Sequence, residues 1–241
     1  KLNFIINADI KEFFVNIKPS NNTNYLSRLK SLNVKSLEKT KLIIERQPFS
    51  EFQALKQITD ALPDRSNLHL ANSMAVRYSN LYPPQNEIKV FANRGTSGID
   101  GSSSTCVGVS LIDKKINTLF SGDLSFFYDS NAFWNNYTGD NLRIVVFNNH
   151  GGGIFRMIEG PSRQKELEPY FVTDQKLEAK SIAELYNIEY QSISDLDHLK
   201  TCLKTFFDKG KSKIVEILTD GHENTKLFKA FKKEINTAIN S

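Results

Sequence analysis

Apolar and polar positions along this chain fall into two periods, and the periods alternate. Phe52, Leu55, Ile58 and Leu62 recur at helical spacing, and Pro63 ends that pattern. Short apolar runs follow at 68–71, 88–92, 117–121, 142–147, 188–193 and 213–218, each of strand length. Helix-like stretches lie between them. One runs through Arg77, and one carries 106–112 behind a run of small residues at 95–105. One at 125–137 has Phe126, Phe133 and Trp134 on a face. Others lie at 177–186, at 194–208 with Ser194 as cap and Asp197 at the fourth position, and at 224–239. Strands alternating with helices predict an α/β fold of three layers, α/β/α, around a mainly parallel sheet of about six strands.

The ends of the chain read differently. Residues 4–6 and 13–15 are short apolar stretches, 19–24 have turn composition, and 25–43 are polar with recurrent leucines, predicting one or two short helices. Residues 1–46 therefore read as the tail of a preceding domain and a connector, and 47–241 as one α/β domain. A chain that begins with Lys1 reads as a piece of a longer cytoplasmic protein. Residues 151–170 lack clean periodicity and read as a long functional loop with one short helix.

Composition narrows the function classes. With 39% hydrophobic and 24% charged residues the chain is ordinary for a globular protein. A net charge of +4 is too small and too dispersed to support nucleic-acid binding. No apolar run approaches the roughly 20 residues that span a bilayer. Cys106 and Cys202 give neither a disulfide framework nor metal-ligand spacing and read as buried free thiols in a reducing compartment.

The chemistry gathers at strand ends. In a parallel sheet Ser73 with Arg77, then Arg94, then Asp123, then Asn149 with Gly151 all emerge at the carboxyl edge, where open α/β sheets bind ligands. Asp123 offers a carboxylate, Asn149 an amide oxygen, and the glycines behind it bare backbone groups, a set suited to Mg²⁺ holding a diphosphate. Ser125 suits both a helix cap and a phosphate contact. Arg77 and Arg94 suit either surface ion pairs or bidentate capture of carboxylates. The four histidines show no metal-binding spacing; His150 lies in the binding loop.

The run from Gly122-Asp123-Leu124-Ser125 to Asn148-Asn149 resembles the signature of thiamine-diphosphate enzymes. Asn72-Ser73-Met74-Ala75-Val76-Arg77, Asn93-Arg94-Gly95-Thr96-Ser97-Gly98-Ile99-Asp100-Gly101 and Asn149-His150-Gly151-Gly152-Gly153-Ile154-Phe155 narrow it. Together they resemble the 2-succinyl-5-enolpyruvyl-6-hydroxy-3-cyclohexene-1-carboxylate synthases of menaquinone biosynthesis, over roughly residues 48–220. The segment Thr138-Gly139-Asp140-Asn141 departs from that family's more apolar turn.

The resemblance implies the C-terminal, diphosphate-binding domain of a three-domain enzyme. Asp123, Asn149 and the Gly151 carbonyl would ligate Mg²⁺, with Mn²⁺ as an alternative ion. Gly122, Leu124, Ser125, Ser97, Gly98, Gly152 and Ile154 would contact thiamine diphosphate, and Ile99 would wedge it into a bent shape. Ser73, Arg77, Arg94, Ile154 and Phe155 would line the substrate pocket. The Glu that activates the cofactor would lie in another domain, contributed by the second subunit of a homodimer or homotetramer, so no catalytic residue is expected in this chain. The implied reaction decarboxylates 2-oxoglutarate and adds the succinyl carbanion equivalent to isochorismate. Two other readings stay open: a decarboxylase or ligase of the acetolactate synthase type, and a non-catalytic diphosphate-binding domain. Two arginines favour a substrate with more than one carboxylate.

Overall fold

The structure is a computed structural model that describes residues 4–18 and 23–240. Six strands form a single sheet: β1 (Asn67–Leu70), β2 (Lys89–Ala92), β3 (Asn117–Gly122), β4 (Leu142–Asn148), β5 (Glu189–Ile193) and β6 (Lys213–Leu218). Their order is β2-β1-β3-β4-β6-β5 and every pairing is parallel. The register sets Asn67 opposite Asn117 and Gly122 opposite Phe147. The order reverses between β1 and β3, because β1 leads to one side of the sheet and β3 to the other. That reversal opens a crevice at the carboxyl edge.

Period-two alternation builds two cores. Leu142, Ile144 and Val146 of β4 face one layer with Cys106 and Val107 of α5 (Ser102–Ile112), Phe126 of α6 (Asp123–Tyr128) and Ala183 of α7 (Lys180–Leu185). Val145 and Phe147 face the other layer, with α3 (Glu51–Asp60), α4 (Met74–Leu81), α8 (Leu196–Phe206) and α9 (Gly221–Asn240). Burial on both faces accounts for the apolar run 144–147 of β4. The fully buried Arg143 of β4 is satisfied at the opposite edge, where it donates to the carbonyls of Phe206 and Asp208 and so caps the end of α8.

Several elements differ from expectation, each for a physical reason. The stretch 25–43 is part of one long helix, α2 (Thr23–Arg46), which follows a short α1 (Ile10–Asn16). Ile43 and Ile44 of α2 enter the core, so the chain before 47 contributes to the packing of the α/β unit. The turn expected at 19–24 falls partly outside the described residues, and Thr23 and Asn24 already belong to α2. The helix expected over 125–137 starts at Asp123 and stops at Tyr128. Asp129 turns away to accept bonds from the backbone N–H and hydroxyl of Ser104 (2.8 and 2.6 Å), capping the first turn of α5. A 3₁₀ turn at Ser130–Phe133 follows, so Phe133 is buried while Trp134 is 75% exposed, not on the shared face.

Helix α8 is capped by Asp195, whose carboxylate accepts from His198 N, and not by Ser194. Helix α9 begins at Gly221, earlier than expected, because Asp220 caps it through the N–H groups of His222 and Glu223. Residues 151–170 hold more local structure than a loop: helical turns at Gly153–Arg156, Pro161–Arg163 and Leu167–Val172. Arg156 ties the first to the last through both oxygens of Glu168 (2.9 and 2.6 Å). Among the described residues no helix is long and apolar enough to cross a membrane.

Candidate functional site at the carboxyl edge of the sheet

All four expected groups sit at the same edge. Ser73 follows β1, Arg94 follows β2, Asp123 follows β3 and Asn149 follows β4. They separate into a buried half and an exposed half.

The buried half centres on Asp123. Strand β3 passes into α6 with no loop, which seats the carboxylate inside the protein at 2% exposure. One oxygen accepts from its neighbour Leu124 N (2.7 Å), the other from Gly151 N (2.7 Å) and Gln175 Nε2 (2.8 Å). Burial raises its pKa above the usual carboxylate range, while those donors pull it back. His150 takes a left-handed conformation (φ 61°), which turns the Gly151 N–H toward Asp123. A Cβ at Gly151 would lie 2.8 Å from the Val172 carbonyl oxygen, so only glycine fits there.

Asn149 connects this half to an unexpected partner. Its Nδ2 donates to Oε1 of Glu51 (2.6 Å), the first residue of α3. Its Oδ1 is buried with no donor. Glu51 is itself 2% exposed, and its pKa rises to about 7. Burial is the main cause, opposed by the Asn149 bond and reinforced by the charge of Asp123. Asp123, Asn149 and Glu51 thus form one electrostatic cluster.

The donors available to a cation are an Asp123 carboxylate oxygen, the orphaned Asn149 Oδ1 and the Gly151 carbonyl. Three hard oxygens of mixed type, one left without a hydrogen-bond partner, fit a cation such as Mg²⁺. Among the described residues no group of three or more His, Cys, Asp or Glu could hold a metal. Leu124 N–H and Ser125 Oγ, both expected at a diphosphate, are engaged within the protein: the first by Asp123, the second by the Ile99 carbonyl (2.6 Å).

The exposed half is organised by Asn72, which is 2% exposed. Its Nδ2 donates to the carbonyls of Asn93 (2.8 Å) and Gly98 (2.5 Å), and its Oδ1 accepts from Arg94. One amide therefore joins the end of β1, the end of β2 and the loop carrying Ser97, Gly98 and Ile99. Ile99 is 37% exposed at the tip of that loop. Ser73 has φ 76° and ψ −128°, a costly conformation for a residue with a Cβ. Its carbonyl accepts from Arg77 (2.8 Å). Arg77 and Arg94 are both exposed. Ile154 is half-buried against the core, and Phe155 packs against Phe171 at 5.7 Å between ring centroids.

Glu51, Asn72 and Gln175 were not among the expected site residues. Asn72 lies within a motif that carried the resemblance, so a signal existed. Glu51 looked like an ordinary acidic residue in the first turn of a helix, and nothing local reveals a partner 98 positions away.

Residues 71–217 match the family described as thiamine pyrophosphate enzyme, C-terminal TPP binding domain. The chain belongs to the thiamine pyrophosphate enzymes and carries their C-terminal cofactor-binding domain. More particularly, it is similar to 2-succinyl-5-enolpyruvyl-6-hydroxy-3-cyclohexene-1-carboxylate synthases. That of Cytophaga hutchinsonii is 51% identical over 189 residues, covering 78% of this chain and 34% of the relative. That of Flavobacterium psychrophilum is 43% identical over 211 residues, covering 87% and 38%. The chain thus spans somewhat more than a third of the length of these relatives. Among solved structures, benzoylformate decarboxylase from Polynucleobacter necessarius superposes with a TM-score of 0.61 at 16% identity, over 73% of this chain and 34% of that one. At that identity the likeness concerns the fold.

Proposed function

We propose that this chain is the diphosphate-binding part of a 2-succinyl-5-enolpyruvyl-6-hydroxy-3-cyclohexene-1-carboxylate synthase, which joins a succinyl unit from 2-oxoglutarate to isochorismate. Residues 1–46 would belong to the end of a preceding domain, and the working enzyme would be a homo-oligomer in a reducing, cytoplasmic setting. Thiamine diphosphate, when bound, supplies the electron sink for losing CO₂ from a 2-oxo acid. Asp123, Asn149 and the Gly151 carbonyl would hold Mg²⁺. Backbone around Gly122, Leu124, Ser125 and Gly152 would meet the diphosphate, and Ser97, Gly98 and Ile99 would border the cofactor. Arg77 and Arg94 would orient substrate carboxylates, with Ser73, Ile154 and Phe155 along the pocket wall.

The observation that carries this reading is the Asn72 junction. It fixes Arg94 and the Ile99 loop in one unit at the edge that also bears Asp123 and Asn149. A guanidinium held beside a cofactor cleft suits an anionic substrate better than a neutral one. The test is product formation by the intact protein with thiamine diphosphate and Mg²⁺. Turnover is expected with 2-oxoglutarate plus isochorismate, and not with pyruvate or benzoylformate alone. Turnover of the monocarboxylates only would replace this reading with a simpler decarboxylase.

A further inference from the structure

A side-chain amide offers oxygen on one side and NH₂ on the other, and the two faces have nearly the same shape. A metal needs the oxygen. At Asn149 the choice is made by what lies against the other face. Glu51 Oε1 receives Nδ2 at 2.6 Å. Ionised Glu51 accepts and does not donate, so rotating the amide by half a turn would set Oδ1 against Oε1, oxygen to oxygen. Gly153 and Gly221 lie beside the amide, where an added Cβ would stand 3.2 Å from Nδ2 and 3.5 Å from Oδ1.

Glu51 is itself held. It occupies the first turn of α3, its backbone N–H donates to Asn224 Oδ1 of α9 (3.1 Å), and Ser50 caps the helix through Gln53 N (3.2 Å). Two helices therefore aim one buried carboxylate at one amide. The ordinary alternative for an acid at a helix start is a solvated residue that favours the helix dipole. At 2% exposure Glu51 is not that residue, and its burial is costly unless the position has a use.

We propose that Glu51 is a positioning residue for the cation: it fixes the orientation of the Asn149 amide so that Oδ1, not Nδ2, is available as a ligand. The inference rests on the reading of Asp123, Asn149 and Gly151 as the cation site. Glu51 contacts neither substrate nor cofactor in this account and acts only through Asn149.

The test uses the intact protein with thiamine diphosphate and measures Mn²⁺ affinity from the loss of the free-ion electron spin resonance signal. Glu51→Gln keeps the size of the side chain but lets the amide at 51 pair with Asn149 either way round. Mn²⁺ affinity is expected to fall on the order of tenfold, the usual scale for an outer partner of a metal ligand. Asn149→Asp alone sets two carboxylates together and is expected to lose more. The double variant Glu51→Gln/Asn149→Asp reverses donor and acceptor and again leaves an oxygen for the cation. It is expected to return affinity to within about threefold of the parent.

A purely structural Glu51 would lower the melting temperature of the metal-free protein without changing Mn²⁺ affinity. Parent-like Mn²⁺ affinity in Glu51→Gln, or a loss that the double variant does not restore, overturns the proposal and leaves the site reading intact. If the parent itself binds no Mn²⁺ with thiamine diphosphate, the site reading falls and the proposal with it.

Discussion

The two halves of the carboxyl edge are built on opposite principles. Around Asp123 and Asn149 the groups are buried, close and cross-linked, with three donors on one carboxylate and a second carboxylate holding the amide. Around Arg77 and Arg94 the charges are exposed, and each guanidinium leans on a group at the sheet edge: the Ser73 carbonyl or the Asn72 amide. A buried cluster keeps its geometry because unsatisfying any member costs the desolvation of that group. An exposed arginine is screened by water and acts strongly only once a ligand or another surface excludes that water. The buried half is thus held together by bonds within this chain, whereas the two arginines stand open to solvent.

The largest expected effect that could break this contrast is on cofactor binding. Asp123→Ala should weaken Mg²⁺-dependent thiamine diphosphate binding by on the order of 100-fold or more, read by titration calorimetry, because the proposed cation site would lose its one charged group. Arg94→Ala should leave that binding unchanged. Equal losses in the two variants would mean that the halves are not separate.

A smaller effect is expected within the exposed half, at Asn72. Asn72→Ala strips one amide from three partners in a buried position and should cost about 2–3 kcal/mol of stability in urea unfolding. It should also raise KM for substrate, since Arg94 loses its rest. Retained stability would show that the loop carrying Ile99 is held elsewhere.

For Arg94→Ala itself, KM for a dicarboxylate should rise roughly tenfold to a hundredfold, the range for losing a charge-assisted hydrogen bond, with kcat less affected. The measurement is steady-state kinetics of the intact enzyme.

The smallest effect concerns acid stability. Asp220 caps α9, and the N–H groups of Glu223 and His222 hold its pKa below the ordinary aspartate value. A lowered folded pKa gives stability that is present above the unfolded value and lost as pH falls through the folded one. Asp220→Asn should therefore flatten part of the acid limb of a melting-temperature profile and change little at neutral pH. An unaltered acid limb would show that the cap carries no charge-dependent stability.

Legibility followed the same divide between local and distant causes. Strand β4 was plain because burial on both faces favours the apolar run 144–147, whereas buried β3 carries only Leu119 and Phe120 among polar and small residues. The edge strand β2 was found by its apolar residues, yet Val90 is 49% exposed, since an edge can keep β character without burial. The spacing of Phe126, Phe133 and Trp134 suited a continuous helix, and only the distant contact of Asp129 with Ser104 cuts it short. The positions at the carboxyl edge followed from parallel topology once the strands were placed. Glu51 and Gln175 could not be read this way, because each acts through partners 98 and 52 positions off with no motif between.

In the proposed function Asp123, Asn149 and Gly151 of this chain hold the cation that anchors the cofactor diphosphate. Crystals of the intact protein grown with thiamine diphosphate and Mn²⁺, recorded at the manganese edge, test it most directly. One anomalous peak is expected within coordination distance of an Asp123 carboxylate oxygen, Asn149 Oδ1 and the Gly151 carbonyl, next to the diphosphate. An ordered cofactor whose cation is held by other residues would contradict it.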